Sequence, residues 1–236
     1  MLLRSAVRAL PVENERVAGV ELDGGGREAA DYYLLAVPHA AAVPLLPSEL
    51  LSANPALANI GKLRNSPITG VHFWFDRDVM SDPFLVLVDR TTQWIFNKSR
   101  LYDGPGEGRY LQLVISASYD LVPRSRQEIV DICLRELCEV LPAVREASLL
   151  RSAVIKETSA TFSPEPGSDD WRPPQRTALP NFFLAGDWTA TGWPATMEGA
   201  VRSGYLAAEA ILSLAGEPSR LLRPDLPADG LSVILA

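Results

Sequence analysis

The segment from residue 180 to residue 204 constrains the fold of this chain more than any other part of the sequence. It reads PNFFLAGDWTATGWPATMEGAVRSG, in which a short apolar run ends at Asp187 and small residues recur from about residue 195. A short apolar run predicts a buried strand, and small residues at helical spacing predict a closely packed helix. The segment therefore predicts a strand, a tight turn and a helix in an open α/β sheet, which holds ligands at the carboxyl ends of its strands.

Two features of this segment predict a ligand site. Asp187 follows the predicted strand directly, where its carboxylate can accept a hydrogen bond from a ligand hydroxyl. The helix is expected to begin near Ala195 or Thr196, so its unpaired amides and positive dipole end favour an anion or an oxygen that gains charge. A tight strand–turn–helix connection without any ligand accounts for the same spacing, so both interpretations stay open at this point.

The rest of the sequence predicts a small β-meander and then a second sheet of another kind. Three short strand patterns occupy the first 38 residues, and a proline-rich helical stretch follows them. Alternation such as PITGVHFWFD predicts antiparallel strands, and residues 123–142 have the amphipathic pattern of a helix that covers one face of the sheet. The sequence thus predicts a mixed α/β and α+β fold in four segments: 1–38 the meander, 39–156 a second domain, 157–214 a return to the first domain, and 215–236 a tail.

Composition and charge exclude several classes of function. The chain carries 22 Lys and Arg against 29 Asp and Glu, and the basic residues are scattered, so we expect no nucleic-acid partner. Cys133 and Cys138 lie on different faces of one predicted helix without a nearby histidine, which predicts reduced core cysteines and no metal site. The sequence contains no run of roughly 18 uninterrupted apolar residues, which a membrane-spanning helix needs. It also shows no signal-peptide pattern. We expect a cytoplasmic protein, with peripheral contact to a membrane left open.

Three stretches of the sequence resemble one family of flavoproteins. LAGDWTATGWPATMEGAVRSGYLAAEAI resembles the carboxyl-terminal flavin-binding motif of the amine oxidase and phytoene desaturase superfamily. The resemblance is closest to the squalene-associated FAD-dependent desaturases, also called hydroxysqualene dehydroxylases. VAGVELDGGGREAADYYLLAVP and PITGVHFWFD are similar to the β-meander and to a substrate-domain strand of that superfamily. The resemblance implies a Rossmann-like FAD-binding domain of the glutathione-reductase type, with the second domain, 39–156, binding the substrate.

The resemblance also implies which residues contact the cofactor, FAD. The backbone of Val7 would lie beside the adenine, and Gly186 and Asp187 would lie beside the ribityl chain and the pyrophosphate. The pyrimidine edge of the flavin would lie at the start of the helix, where reduction places negative charge that oriented amides stabilise. The residues expected around that helix start are Trp193, Pro194, Ala195, Thr196 and Met197.

The first fifty residues differ from the family in one respect, because they contain no G-x-G-x-x-G motif. That glycine-rich motif opens the βαβ unit that binds the other part of FAD in the family. We therefore expect this chain to be the carboxyl-terminal part of a longer flavoprotein, or one polypeptide of a flavoprotein that is split into separate chains. The missing partner is the amino-terminal FAD-binding half, and the isolated fragment is expected to be inactive.

The residue before MEGA bears on the substrate. Amine oxidases usually carry a tyrosine there, as half of an aromatic cage, whereas this chain has Thr196. The segment GWPATMEGA instead resembles the corresponding segment of enzymes that act on long hydrocarbons, which implies an isoprenoid substrate in a large apolar pocket. Phe73, Trp74, Phe75 and Trp94 are the candidate lining residues together with Thr196, although aromatics at strand spacing equally fit a plain core.

The resemblance implies reductive dehydroxylation of hydroxysqualene to squalene, a step of squalene and hopanoid biosynthesis. Reduced flavin would deliver hydride to an allylic carbon as hydroxide departs, and His39 and His72 are the histidines available for acid–base work. A phytoene-type carotenoid desaturase, an amine oxidase-like flavoenzyme and a non-catalytic binding module remain as alternatives. The sequence therefore predicts the cofactor more closely than the substrate.

Overall fold

The computed structural model describes residues 1–102 and 109–225, which divide into two compact units. Unit 1 combines Met1–Leu63 with Pro164–Ala236, and unit 2 is Arg64–Ser163. The expected boundary at residue 38 therefore moves to residue 63, and the one at residue 156 moves to residue 163. Residues 39–63 group with unit 1, where the Leu10 amide donates to the Leu45 carbonyl at 3.1 Å. The last eleven residues of the predicted tail, 226–236, lie outside the described residues.

The described residues form strands of two or three residues in unit 1, strands of three to 14 residues in unit 2, and one long helix in each unit. Short 3-10 turns connect several of them. The helices and strands in chain order are β1 (Val7–Ala9), β2 (Val12–Glu13), β3 (Arg16–Val17), β4 (Val20–Leu22), β5 (Arg27–Glu28), β6 (Tyr33–Leu35), α1 (His39–Ala42), α2 (Ser48–Ala53), α3 (Pro55–Ala58), β7 (Asn65–Phe75), β8 (Phe84–Val86), β9 (Trp94–Asn97), α4 (Lys98–Leu101), β10 (Tyr110–Ser116), α5 (Arg126–Val140), β11 (Leu149–Phe162), β12 (Phe182–Leu184) and α6 (Met197–Leu214).

Unit 1 contains a meander and a separate parallel pair of strands. The meander is the antiparallel sheet β1–β4–β5, and β2 and β3 form a hairpin beside it in sequence. The third strand pattern of the sequence, β6, does not join the meander but pairs in parallel with β12. All three residues of β12 are fully buried, which is typical of a strand covered on both faces. The buried Asn181 links this pair to the hairpin, because its side-chain amide bonds the backbone N–H and C=O of Val17 at 3.0 and 2.9 Å.

Unit 2 is a five-stranded antiparallel sheet with α5 packed on one face. The strand order is β11–β7–β10–β9–β8, which confirms the predicted antiparallel sheet. Alternate residues of β7, such as Val71 and Phe73, are fully buried in a core shared with Ile129 and Leu137 of α5. α5 confirms the helix that the amphipathic pattern predicts, and a capping box at Ser125 and Glu128 starts it. The opposite face of the sheet has no helix of unit 2 packed on it in the described core.

Within the described residues, no helix combines the length and the apolar composition needed to cross a bilayer.

Candidate flavin site and substrate surface

The connection between β12 and α6 starts with a glycine that no other residue can replace without strain. Gly186 has φ +148°, and a Cβ atom there would overlap the indole of Trp188. The Gly186 amide donates to Ser203 Oγ in α6 at 2.7 Å, which fixes the helix to the end of the strand. The Trp188 indole donates to the carbonyl of Val37, just after β6, at 2.9 Å. The carboxyl ends of β6 and β12 and the helix α6 therefore meet at one place.

A buried arginine holds the loop that follows Gly186. The side chain of Arg172 is 5% exposed, and its guanidinium donates to the carbonyls of Asp187 at 3.0 Å, Thr189 at 3.1 Å and Trp193 at 2.7 Å. It also donates to Thr191 Oγ1 at 3.2 Å. Five donors in a rigid fork suit this arrangement of several acceptors better than an ammonium group would. Arg172 therefore fixes the backbone path from Asp187 to Trp193.

The start of α6 presents free amides. Thr196 is the N-cap, and its Oγ1 accepts a hydrogen bond from the Gly199 amide at 3.1 Å. The amides of Met197 and Glu198 precede the first intrahelical bonds and point out of the amino-terminal end of the helix. Gly199 permits a close approach of the preceding loop, since a Cβ atom there would lie 2.7 Å from the Pro194 carbonyl oxygen. This end of an 18-residue helix favours negative charge on a bound group.

His39 is a buried histidine beside Asp187. The residue is 5% exposed and follows β6 as the first residue of α1. Burial lowers the pKa of His39, and the Asp187 charge and a hydrogen bond to the Leu63 carbonyl act in the opposite direction without cancelling it. Its Nε2 atom has no hydrogen-bond partner among the described residues. The imidazole is therefore neutral at pH 7, with one ring nitrogen left unpaired.

The structure brings most of the predicted cofactor residues together and leaves one apart. Gly186 and Asp187 are half-buried at the end of β12, and residues 193–197 form the exposed or half-exposed approach to α6. Val7 lies on β1, which pairs with β4, and no described contact joins it to residues 186–197. The predicted helix start near Ala195 or Thr196 is confirmed, because α6 begins at Met197 behind the Thr196 cap.

Sequence reasoning missed Arg172 and considered His39 only as a candidate for acid–base work. Arg172 lies in a proline-rich stretch that reads as a long loop, and its acceptors lie 15 to 21 positions later in the chain. Hydrophobic periodicity does not predict such contacts. For His39, the sequence did offer a signal of a place in the site, because the residue directly follows the VP that ends a strand pattern and α/β sheets hold ligands at the carboxyl ends of their strands.

In unit 2, the face of the sheet opposite α5 is aromatic. Trp74 stacks on Tyr110 with ring centroids 4.6 Å apart, and Arg151 lies over Trp74 at 4.6 Å. His72 Nδ1 is 2.9 Å from the Tyr110 hydroxyl. Further along the same face, Trp94 stacks on Phe96 at 5.7 Å. We call the surface formed by these side chains the open aromatic face: His72, Trp74, Trp94, Phe96 and Tyr110.

Two of the predicted lining residues do not belong to this face. Phe73 and Phe75 are 0% and 2% exposed and lie in the core against α5. Alternation along β7 sends odd-numbered residues to the core and even-numbered ones to the other face, so only the latter can contact a ligand there. The prediction of Phe73 and Phe75 as lining residues is therefore wrong for the sheet as folded, while Trp74 and Trp94 stay as predictions.

Both cysteines are free thiols, and Cys133 lies in the core of unit 2. Burial raises the pKa of Cys133 to about 11. Among the described residues, no group of three or more His, Cys, Asp or Glu side chains is arranged to hold a metal ion.

Comparison with known proteins identifies relatives that match most of the chain. The family model for flavin containing amine oxidoreductases matches residues 1–212. A hydroxysqualene dehydroxylase of Sinorhizobium fredii is 36% identical over 197 residues, which cover 82% of this chain and 42% of that protein. A 15-cis-phytoene desaturase of Synechococcus elongatus is 30% identical over 217 residues, covering 89% and 45%. The chain thus spans less than half the length of these curated relatives.

Solved structures share the fold at low sequence identity. Reduced UDP-galactopyranose mutase aligns with a TM-score of 0.65 at 15% identity, covering 89% of this chain and 46% of that one. An oxidoreductase from Methanosarcina mazei aligns with a TM-score of 0.63 at 18% identity, covering 89% and 49%. The mixed fold predicted from the sequence is confirmed by this likeness.

Proposed function

Because the chain belongs to the family of flavin-containing amine oxidoreductases, we propose that it is the carboxyl-terminal part of an FAD-dependent enzyme that converts hydroxysqualene to squalene. Members of this family are flavin-dependent oxidoreductases, and FAD is the cofactor. The observation that carries the proposal is the β12–α6 connection, in which Gly186 bonds to Ser203 of α6 and the loop from Asp187 leads to the Thr196 cap of that helix. The 36% identity to a hydroxysqualene dehydroxylase supports the choice of substrate.

The residues of the connection fit the cofactor. The Asp187 carboxylate follows β12, where it would accept a hydrogen bond from a ribityl hydroxyl, and Gly186 makes room for the Trp188 indole beside it. The amides of Met197 and Glu198 would face the pyrimidine edge of the flavin. FAD supplies hydride transfer when it is bound. The chain's own contribution is to bind the ring system and to stabilise negative charge without moving.

An open strand edge supports the proposal that an amino-terminal half completes the site. Among the described residues, β6 is paired on one edge only, with β12, and its Leu34 is 45% exposed. Parallel sheets are almost always larger and covered on both faces. A glycine-rich βαβ unit would supply the next parallel strand and the remaining FAD contacts. Purified alone, the chain should therefore retain no FAD at micromolar concentration, and a stoichiometric yellow complex would contradict this.

The open aromatic face supports an apolar substrate. The open aromatic face is several aromatic rings wide, because it includes Trp74, Trp94 and Phe96. Trp94 is 39% exposed. Apolar area removed from water contributes about 25 cal/mol per Å², so a long isoprenoid gains most of its binding energy from such a surface. A substrate of this kind partitions into bilayers, and peripheral contact with a membrane is part of the proposal.

FAD, when bound in its reduced form, would supply the hydride for the new C–H bond at the allylic carbon. The C–O bond would break, and the leaving hydroxide would take a proton from solvent and depart as water. Thr196 takes the position of the cage tyrosine in amine oxidases, which leaves width for a hydrocarbon chain. The 30% identity to a phytoene desaturase favours a second candidate, in which hydride leaves a carotenoid-like chain and FAD accepts it.

The proposal is tested with the complete flavoprotein and a substitution on the open aromatic face. Reduced enzyme incubated anaerobically with hydroxysqualene should yield squalene, identified by mass spectrometry. Trp94→Ala should raise KM for hydroxysqualene, while Val88→Ala, at a 77% exposed position on the loop before β9, serves as the matched surface control. Absence of squalene with flavin-loaded wild type would refute the proposal.

A further inference from the structure

Two polar side chains lie among the rings of the open aromatic face. His72 Nδ1 and the Tyr110 hydroxyl are 2.9 Å apart, and both residues are half-buried. The Trp74 ring stacks on both, with its centroid 4.6 Å from Tyr110 and 6.0 Å from His72. Gln112 lies opposite His72 in register and adds a neutral amide to the same face. We propose that the His72–Tyr110 pair binds the hydroxyl group of an isoprenoid alcohol, an inference that rests on the proposed function.

The pair keeps hydrogen-bonding capacity in either tautomer of the neutral imidazole. If the Tyr110 hydroxyl donates to Nδ1, then Nε2–H remains a donor and the Tyr110 oxygen remains an acceptor. If Nδ1–H donates instead, the Tyr110 hydroxyl remains a donor and Nε2 remains an acceptor. Within residues 1–102 and 109–225, the 2.9 Å contact is the one hydrogen bond that either side chain forms. The pair thus offers one donor and one acceptor, which match an alcohol because its single oxygen both donates and accepts.

The charges around the pair favour a neutral ligand. Burial and, after it, the Lys98 charge lower the pKa of His72, so the imidazole is neutral at pH 7. Two cations near the pair already face aromatic rings: the Arg151 guanidinium lies 4.6 Å from the centre of the Trp74 ring, and Lys98 Nζ lies 4.0 Å from that of Tyr102. A protonated imidazole would donate from both nitrogens and suit a carboxylate or a phosphate. The neutral ring suits an uncharged hydroxyl.

Apolar side chains extend across the sheet on both sides of the pair. Phe84 of β8 lies opposite Phe96, and Ile155 of β11 lies opposite Gly70; Phe84 and Ile155 are 51% and 59% exposed. Five strands about 4.8 Å apart make this face roughly 19 Å wide. Hydroxysqualene carries its hydroxyl near the middle of its chain, so it can lie across the strands with the hydroxyl at the pair. Squalene and phytoene are hydrocarbons and form no such hydrogen bond, so the pair favours the alcohol.

Two conservative substitutions test this recognition. Tyr110→Phe removes one hydroxyl and keeps the ring, and His72→Phe keeps an aromatic ring while it removes both nitrogens. The complete flavoprotein, with its FAD oxidised, is titrated with hydroxysqualene and with squalene in one detergent, and tryptophan fluorescence gives each Kd. Each ligand partitions into the detergent equally for every variant. The quantity to compare is therefore the ratio of the Kd for squalene to the Kd for hydroxysqualene.

Both variants should lower this ratio about tenfold, because hydroxysqualene alone binds more weakly. Tyr102→Phe makes the same change at a 69% exposed tyrosine outside the pair and should leave the ratio unchanged. A ratio that equals the wild-type value in Tyr110→Phe or in His72→Phe overturns the inference. An equal loss of affinity for both ligands marks a structural role and overturns it too. If the ratio falls in both variants but reduced wild type forms no squalene, only the proposed function is refuted.

Discussion

Replacing Arg172 by methionine should destabilise unit 1 strongly. Methionine keeps much of the side-chain volume but donates no hydrogen bond, so the carbonyls of Asp187, Thr189 and Trp193 lose their donor. A hydrogen bond to a charged group contributes about 1.5–3 kcal/mol. Asp187 and Trp193 are half-buried, so their carbonyls regain part of that energy from water, whereas Thr189 is fully buried. We therefore expect a total loss of about 3–5 kcal/mol, the range for breaking a buried charged cluster.

Urea unfolding of the apoprotein, followed by tryptophan fluorescence, measures this loss. With a slope of about 2 kcal/mol per M, Arg172→Met should lower the urea midpoint by about 2 M. Arg176→Met is the matched control, because Arg176 is exposed and its backbone forms an isolated bridge with that of Phe183. The FAD affinity should fall in Arg172→Met as well, since the loop that carries Asp187 loosens. A midpoint equal to that of Arg176→Met would refute the role assigned to Arg172.

Three further predictions concern the site and the core. In the complete enzyme, Asp187→Ala should weaken FAD binding by about 1–3 kcal/mol, which a flavin titration measures, because a ribityl hydroxyl loses its partner; unchanged affinity removes Asp187 from the site. Thr196→Tyr should lower hydroxysqualene turnover without loss of FAD, because the larger side chain narrows the substrate pocket. Thr196→Val, which loses the cap but adds no bulk, should turn over substantially faster than Thr196→Tyr, and equal rates would contradict the steric explanation. The wild-type enzyme should not oxidise benzylamine. Burial of Glu136 opposes its ionisation, yet bonds from the Thr92 and Thr91 amides at 2.8 and 2.9 Å outweigh burial and lower its pKa. This stabilisation is present above the unfolded pKa, about 4.5, and is lost as pH falls through the folded value, so Glu136→Gln should flatten the acid limb of the stability–pH curve; an unchanged limb would contradict this.

The parts of this fold that the sequence could predict are those governed by short-range patterns. Period-two alternation around Val71 and Trp74 assigns each residue to a face of the sheet, and the Thr196 cap position follows from the residue types around it. The alternation does not indicate which face of the sheet a helix covers, so Phe73 remained a candidate both for the core and for the lining of the substrate pocket. The parallel pairing of β6 with β12 joins residues some 150 positions apart, and hydrophobic periodicity does not report such partners.

The candidate site shows the same division. Gly186 and Asp187 could be predicted because strand, turn and helix are consecutive in sequence. His39 reaches the site through that long-range strand pairing, and Arg172 reaches it through a loop whose path depends on the folded acceptors. Both contributions therefore appear only when the chain is folded.

The direction of hydride transfer tests the account most directly. The complete enzyme, with its FAD reduced beforehand under argon, is mixed with one equivalent of hydroxysqualene, and the oxidised-flavin absorbance and the lipid products are followed together. The account predicts that the flavin becomes oxidised in a single turnover and that one equivalent of squalene forms. Reduced flavin that persists with hydroxysqualene, together with oxidised flavin that 15-cis-phytoene reduces, would contradict it and establish the desaturase direction instead.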